Sequence, residues 1–206
     1  ISGTAGDDFG QGILLSRNST ITTLTNNGTI SGTAGGDTGA GILVDRANSV
    51  ITTLTNHGTI TGTAANGAGG VIVDRGGAIT TLLNTGTITG TVSGTEGYGI
   101  YVQETNSSIT TITNTGTITG TAATLGFDIR VRGDTGTSLT TLNNLQSGLT
   151  YDARLPSNYS TIIRNLDNYG NVTFSNVVAA AAPTVYTPFA GSTDAAVYIK
   201  GGTYSV

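Results

Sequence analysis

Very few side chains of this sequence are suited to acid–base or metal chemistry, and His57 is the only histidine among them. It occupies a position whose repeat equivalents are Asn27, Thr85 and Thr115, which do not share its chemistry. A catalytic or metal-binding histidine needs partner side chains that converge on it. The repeats supply none, so we interpret His57 as an exposed corner residue without such a role.

Arginines recur at one position in three successive repeats, and aspartates precede two of them. A stack of guanidinium groups could grip a carboxylate or a sugar acid. The alternative, which we favour, is that the neighbouring aspartates neutralise the arginines on a solvated turn. The column consists of Arg17, Arg46 and Arg75, beside Ser16, Asp45 and Asp74.

The carboxylates are too scattered for an enzyme that cleaves polysaccharides, which needs clustered carboxylates to hold calcium or to act as acid and base. Asp45 and Asp74 form a column of two, but its next member is Gln103. Asp7 and Asp8 lie together on a loop of variable length. We therefore predict that the chain is not an enzyme and that it has no metal site and no cofactor.

Threonines alternate with apolar residues in two segments of each repeat, which predicts ranks of outward hydroxyl groups. Regular outward threonines on a solenoid resemble the surfaces of ice-binding proteins. The alternative, that threonine merely suits exposed strand positions, is favoured because the ranks occur on two faces and are interrupted at Leu83 and Asn143. The ranks are Thr23/Thr25, Thr53/Thr55 and Thr111/Thr113, and Thr29/Ser31, Thr59/Thr61, Thr87/Thr89 and Thr117/Thr119.

Tyrosines are the better candidates for an interaction surface, because exposed tyrosines commonly anchor interfaces or stack on sugars. Some lie at or beside the third strand-like segment of a repeat, and the others crowd the carboxy-terminal part of the chain. The alternative is that part of the set belongs to the core or covers an end of the structure. The candidates are Tyr98, Tyr101, Tyr151, Tyr159, Tyr169 and Tyr186.

A repeat positions all these residues. The segment 21–33 returns at 51–63, 79–91 and 109–121, and Leu139 opens a decayed fifth copy. A period of about 30 residues is typical of a solenoid, and each repeat holds three short β-prone segments with an apolar residue facing inward. We predict an all-β, right-handed parallel β-helix with three short strands in each coil of about 30 residues, each strand stacking on its equivalent one coil away.

One corner of this coil has a constant length, since the interval from Ile21 to Ile30 recurs in the later repeats. We predict a tight Asn-x-Gly corner in which glycine adopts a positive φ and asparagine tolerates one. The side-chain amides should bond one another along the helix axis as a structural ladder. Its members are Asn26, Asn56, Asn84, Asn114, Asn144 and Asn168.

The regular pattern fades after Leu142, and all three prolines lie beyond it. We assign residues 1–145 to regular coils and residues 146–206 to irregular coils of the same solenoid, with a longer loop or insertion. Residues 1–6 repeat the sequence of residues 30–35, so the chain starts in the middle of a repeat. We therefore expect a fragment of a longer protein.

The low charge restricts the partners of the chain. Its net charge is −4, whereas a nucleic-acid-binding protein must neutralise phosphates with Lys and Arg. The longest apolar run, 177–182, is far shorter than the roughly 20 residues that span a bilayer. We expect contact with neither nucleic acid nor a membrane by this part of the protein.

Repeats of the form Ile-x-x-Leu-x-Asn-x-Gly-Thr-Ile-x-Gly, alternating with Gly-Ile-x-Val, resemble the passenger regions of autotransporters, the type V secreted proteins of Gram-negative bacteria. The resemblance covers residues 1–145 well and the remainder loosely. It implies a cell-surface or extracellular location and a membrane barrel elsewhere in the full protein. The lack of cysteine agrees with export through an outer-membrane pore.

Adhesins, cytotoxins and subtilase-type autotransporters share such stalks, so the resemblance does not specify an activity. We expect a structural and adhesive segment with a role in virulence, which contacts a host or matrix glycan or protein, or self-associates. One alternative is an inert stalk that presents an enzyme or toxin domain, such as a subtilase, outside this chain. A further alternative is ice binding by the threonine ranks.

Overall fold

The computed structural model describes residues 1–132, 135–144, 146, 149–154, 165–168, 172–175, 184–185 and 198–199. Its strands, numbered in chain order, form three parallel sheets and one antiparallel pair. Sheet A contains β1 (Ser2–Ala5), β4 (Thr29–Ala34), β7 (Thr59–Ala64), β10 (Thr87–Val92) and β13 (Thr117–Thr121). Sheet B contains β2 (Phe9–Ser16), β5 (Thr38–Asp45), β8 (Gly67–Asp74), β11 (Glu96–Val102), β14 (Leu125–Arg132), β16 (Leu149–Arg154) and β18 (Val172–Ser175). Sheet C contains β3 (Thr20–Asn26), β6 (Val50–Asn56), β9 (Ala78–Asn84), β12 (Ser108–Asn114), β15 (Ser138–Asn144) and β17 (Asn165–Asn168). The antiparallel pair is β19 (Thr184–Val185) with β20 (Tyr198–Ile199).

The chain adds one strand to each of the three sheets in every regular coil, which confirms the predicted parallel β-solenoid. Equivalent residues pair in register from coil to coil, as Ile30 does with Ile60 and Ile51 with Ile79. Hydrogen-bonded asparagines of successive coils lie 30, 28, 30 and 30 residues apart. The predicted coil length of about 30 residues therefore agrees with the structure.

The core is a set of apolar columns enclosed by the three sheets. Each short strand contributes one or two inward side chains, and these are buried between the equivalent side chains of the coils before and after it. No coil can bury its apolar residues by itself, so the stack stabilises them collectively. The columns include Ile30, Ile60, Ile88 and Ile118 from sheet A, Ile42, Val71, Ile100 and Ile129 from sheet B, and Ile51, Ile79, Ile109 and Leu139 from sheet C.

Sheet A differs from the other two sheets in the continuity of its pairing. Its register runs through consecutive residues, as from Thr87 to Thr91 in β10 against Thr117 to Thr121 in β13. In sheet B the pairing omits one residue in each coil at Gly70 and its equivalents, and in sheet C it does so at Thr80. Sheets B and C are therefore bent within each strand, whereas sheet A runs straight.

Sheet A also ends earlier than its neighbours within the described residues. Its last strand is β13. Sheet B continues with β16 and β18, and sheet C continues with β17. The chain passes from β15 in sheet C to β16 in sheet B. In its described residues, the coil that contains Gln146 thus adds no strand to sheet A, near the boundary drawn at residue 145 from the sequence.

Candidate functional site

The asparagine ladder is present at the corner between sheets C and A. Asn56 Nδ2 donates to Asn84 Oδ1 at 2.8 Å and to the carbonyl oxygens of Gly58 and Thr87 at 3.2 and 3.1 Å. The same amide-to-amide bond joins all neighbouring members from Asn26 to Asn144. These buried amides are therefore satisfied within the corner and serve as structure. Asn168 pairs with Asn144 in register, but its side chain lies outside the described residues.

The glycine of this corner has a different purpose from the one predicted. Among the described glycines only Gly76 and Gly136 have positive φ, so the prediction of a positive φ at the Asn-x-Gly corner was wrong. A Cβ added to Gly86 would lie 2.1 Å from the carbonyl oxygen of Gly58 in the preceding coil. Glycine is required there because the corners of successive coils stack backbone on backbone.

The left-handed backbone lies instead at the corner between sheets B and C. Arg17, Arg46 and Arg75 have φ of 60°, 73° and 48°, and Glu104 continues the column with 58°. A positive φ is uncommon for such residues, and no sequence pattern indicated it. Asparagines with positive φ follow in the same turns, and Asn48 Nδ2 donates to Asn18 Oδ1 at 3.0 Å. This second, shorter ladder was also missed, because its spacing is hidden in a corner of variable length.

The acidic and basic columns neutralise each other at this corner. Arg75 Nε lies 2.8 Å from Asp45 Oδ1 and 3.4 Å from Asp74 Oδ2, and Arg46 Nε lies 3.4 Å from Asp45 Oδ2. The two aspartates are buried while both arginine side chains are about half exposed. The interpretation as a self-neutralised turn is confirmed for Arg46 and Arg75, and it leaves them poorly suited to gripping a sugar acid.

Burial displaces the titration of Asp74 at this corner. Burial raises the pKa of its carboxyl from 3.8 to about 6, and the nearby charge of Glu104 adds to the rise while Arg75 opposes it. Its Oδ1 is buried without a hydrogen-bond partner in the described structure. Burial disfavours the charged form of this carboxyl. The contribution of this corner to stability therefore depends on pH.

Tyr98 and Tyr101 do not form an exposed surface, so the predicted interaction role was wrong for these two residues. They are 3% and 9% exposed, in a second apolar cluster separate from the core. The bend of sheet B at Gly99 brings their ring centroids to 4.2 Å, and Ile72 and Phe127 of the adjacent coils belong to the same cluster. Tyr151 is described only in its backbone, and Tyr159, Tyr169 and Tyr186 lie outside the described residues.

A buried arginine closes this aromatic cluster. The Arg130 guanidinium carbon lies 5.1 Å from the centroid of the Tyr98 ring and 5.4 Å from that of Tyr101. Arg130 donates to Glu96 Oε2 at 3.1 Å and to the Tyr98 hydroxyl, which itself donates to Glu96. Burial raises the pKa of both tyrosines. The cation–π contacts and the ion pair between Arg130 and Glu96 therefore stabilise the packing of this cluster.

His57 is exposed at the corner between sheets C and A, where its Nδ1 lies 2.7 Å from Thr85 Oγ1. The described residues contain no group of three or more His, Asp or Glu side chains arranged to hold a metal ion. No helix in the described part of the chain is long and apolar enough to cross a membrane.

The outward face of sheet A is the most regular surface among the described residues. Its inward residues alternate with outward residues in every strand, and every outward residue is threonine or serine. We call this surface the threonine face. It consists of Ser2 and Thr4 on β1, Thr29, Ser31 and Thr33 on β4, Thr59, Thr61 and Thr63 on β7, Thr87, Thr89 and Thr91 on β10, and Thr117, Thr119 and Thr121 on β13.

The sequence indicated only two of the three columns of the threonine face. The third column consists of Thr33, Thr63, Thr91 and Thr121. It was missed because the inward residue before each of these threonines is a glycine, so the alternation of apolar and polar residues is not visible there. Leu83 and Asn143, the two interruptions of the threonine ranks, both belong to sheet C. The interruptions therefore do not apply to sheet A, although sheet C carries threonine ranks as well.

Neither the family models, nor the curated proteins, nor the solved structures contain a match to this chain. Its function has to be inferred from its own geometry. That geometry offers a rigid stack of coils, two corners whose polar groups bond one another, and one flat hydroxyl face.

Proposed function

We propose that this chain is a structural and adhesive segment of a bacterial surface-displayed protein of the autotransporter type. The observation that carries the proposal is the combination of a solenoid stack with an outward surface of uncharged hydroxyl groups. The outward positions of sheets A and C are mostly threonine, and at both corners that flank sheet C the polar groups bond one another. Surfaces of this kind bind through many weak contacts distributed along their length.

The stack itself supports a spacer role. Successive coils are separated by about 4.8 Å, and adjacent coils as far as β13 are joined by three ladders of backbone hydrogen bonds. The asparagine bonds run along the same axis. A segment of this construction holds its surface at a fixed distance from wherever the chain is anchored, which suits contact with a host or matrix glycan or protein, or with another copy.

The alternative is an inert stalk that presents an enzyme or toxin domain outside this chain. The same rigidity supports it, and the satisfied asparagine corner between sheets C and A does so as well. The two hypotheses differ in whether the isolated chain binds anything through its faces.

Beads coated with the purified chain test this difference. We expect the beads to clump, or to adhere to epithelial cells or to immobilised matrix proteins and glycans, more than uncoated beads do. Two matched variants locate the surface: Thr61→Glu with Thr89→Glu on sheet A, and Thr53→Glu with Thr81→Glu on sheet C. All four positions are outward and partly exposed. Coated beads that behave like uncoated ones would overturn the adhesive role and leave the stalk.

A further inference from the structure

The threonine face presents its hydroxyl and methyl groups as a two-dimensional lattice. Neighbouring outward residues of a strand are two residues apart, about 6.7 Å, and equivalent residues of adjacent strands are about 4.8 Å apart. The pairing of sheet A keeps this lattice in register over five strands, as in the column Ser2, Ser31, Thr61, Thr89, Thr119. We propose that the threonine face binds the surface of ice crystals.

The hydroxyl groups of this face are available to water. None of them donates or accepts a side-chain hydrogen bond within the part of the chain that the structure describes, in contrast to Thr85, whose hydroxyl donates to the carbonyl oxygen of Asn56 at 3.3 Å. Along both directions of the lattice the repeats are close in size to those of water oxygens on the planes of ice. Each hydroxyl can therefore take the place of one lattice water.

The lattice is also rigid before it binds anything. Threonine is β-branched and its χ1 is restricted, so each hydroxyl keeps its direction at a low entropic cost. Beneath the face lie the fully buried Ile60, Ile88 and Ile118. The inward glycines lie against sheet B, since a Cβ at Gly32 would be 1.8 Å from the carbonyl oxygen of Ala40. A flat, preorganised surface is what adsorption to a solid requires.

Taken by itself, without the outward surface of sheet C, the threonine face fits other occupants less well. It carries no charge to attract nucleic acid or an acidic polymer, and no aromatic ring on which a sugar could stack. Five strands and three columns span about 19 Å by about 13 Å, roughly 250 Å². A stable protein interface buries about 800 Å² on each partner, so a second copy of this chain would be held weakly.

Sheet C supplies the internal comparison. Its outward threonines are interrupted by Leu83 and Asn143, and its pairing omits one residue per coil at the bend. The proposal therefore assigns ice binding to sheet A alone. It does not depend on the adhesive role proposed above, since it involves neither cells nor a macromolecular partner.

The experiment measures thermal hysteresis and inhibition of ice recrystallisation by the purified chain. A fluorescently labelled sample also shows whether the chain is incorporated into a slowly growing ice hemisphere. We expect all three effects, with most of each lost in Thr61→Lys with Thr89→Lys on the threonine face. The same substitutions at Thr53 and Thr81 on sheet C should leave the effects intact, and Thr89→Val separates the hydroxyl from the methyl. Circular dichroism establishes that every variant is folded.

Two results would overturn the proposal. One is a folded wild-type chain that shows no hysteresis, no inhibition and exclusion from ice. The other is an equal loss in the sheet A and sheet C variants, which would mean that the effect does not arise from the lattice. Failure of the bead experiment leaves this proposal unaffected, so the two roles are tested separately.

Discussion

The side-chain amide of Gln146 forms both hydrogen bonds with the backbone of Ile118 that a further strand of sheet A would form. Its Oε1 accepts from the Ile118 amide at 2.7 Å, and its Nε2 donates to the Ile118 carbonyl oxygen at 2.9 Å. The same Oε1 accepts from Asn114 Nδ2 at 3.1 Å, where the earlier asparagines donate to a threonine carbonyl. Gln146 thus replaces one peptide group and occupies the edge of sheet A, which would otherwise be open to another strand.

Gln146→Ala should expose this edge. We expect a loss of about 2 kcal/mol in the free energy of unfolding, because the Ile118 amide and carbonyl lose their side-chain partner and Asn114 loses one of its two side-chain acceptors. Faster hydrogen exchange at the Ile118 amide, measured by NMR, would locate the effect, and dynamic light scattering would show association through the free edge. Gln103→Ala, at a partly exposed position after β11, is the control. Unchanged exchange at Ile118 would contradict the role of Gln146.

Asn84→Ala should destabilise the solenoid more than a substitution on its surface. Asn84 is fully buried and its amide nitrogen donates to Asn114 Oδ1 and to the carbonyl oxygens of Gly86 and Thr117. We expect a loss of about 3 kcal/mol, measured by urea unfolding. Asn143→Ala removes a single partly exposed bond to Thr113 Oγ1 and should cost only about 0.5 kcal/mol. Equal effects would mean that the ladder contributes nothing beyond an ordinary contact.

Gly86→Ala tests the close stacking of the corners. The added Cβ would lie 2.1 Å from the Gly58 carbonyl oxygen, whereas a Cβ at Gly28 has no atom within 4 Å. We expect Gly86→Ala to destabilise the chain by about 3 kcal/mol. Gly28→Ala, in the same corner of the first coil, should be tolerated or stabilise it by about 0.5 kcal/mol, because alanine restricts the unfolded chain. Thermal melting of the two variants distinguishes them, and similar melting temperatures would refute the stacking explanation.

Asp74 should make stability fall as pH rises through its titration range. Because burial raises its pKa from 3.8 to about 6, the folded chain binds this proton more tightly than the unfolded chain does. The contribution of Asp74 is therefore most favourable below pH 3.8 and decreases between there and about 6. The decrease is on the order of 2 kcal/mol and is complete above that range.

Urea unfolding of Asp74→Asn over the same pH range provides the measurement. The variant should lack this decrease, and Glu104→Gln should reduce it, because the Glu104 charge contributes to the raised pKa of Asp74. An Asp74→Asn variant with the wild-type pH profile would rule out this carboxyl as its source.

The repeat and its periodicity determined most of the fold. Alternation along Thr29, Ile30 and Ser31 identified the inward residue, and the constant interval to the next coil identified the asparagine ladder. These are local properties, because successive side chains of a strand point to opposite sides and identical coils stack in register. The same information predicted that the Asp45 carboxylate would neutralise arginines at its corner, which the ion pairs confirm.

Only the tertiary structure decided which outward residues are covered and which are free. Tyr101 points away from the core, yet the bend of sheet B at Gly99 and the neighbouring coils bury it, whereas Thr89 on the unbent sheet A stays accessible. Gln146 closes a sheet edge 28 residues away in sequence. Curvature and edge closure arise from packing between coils, so they are absent from the pattern of any single repeat.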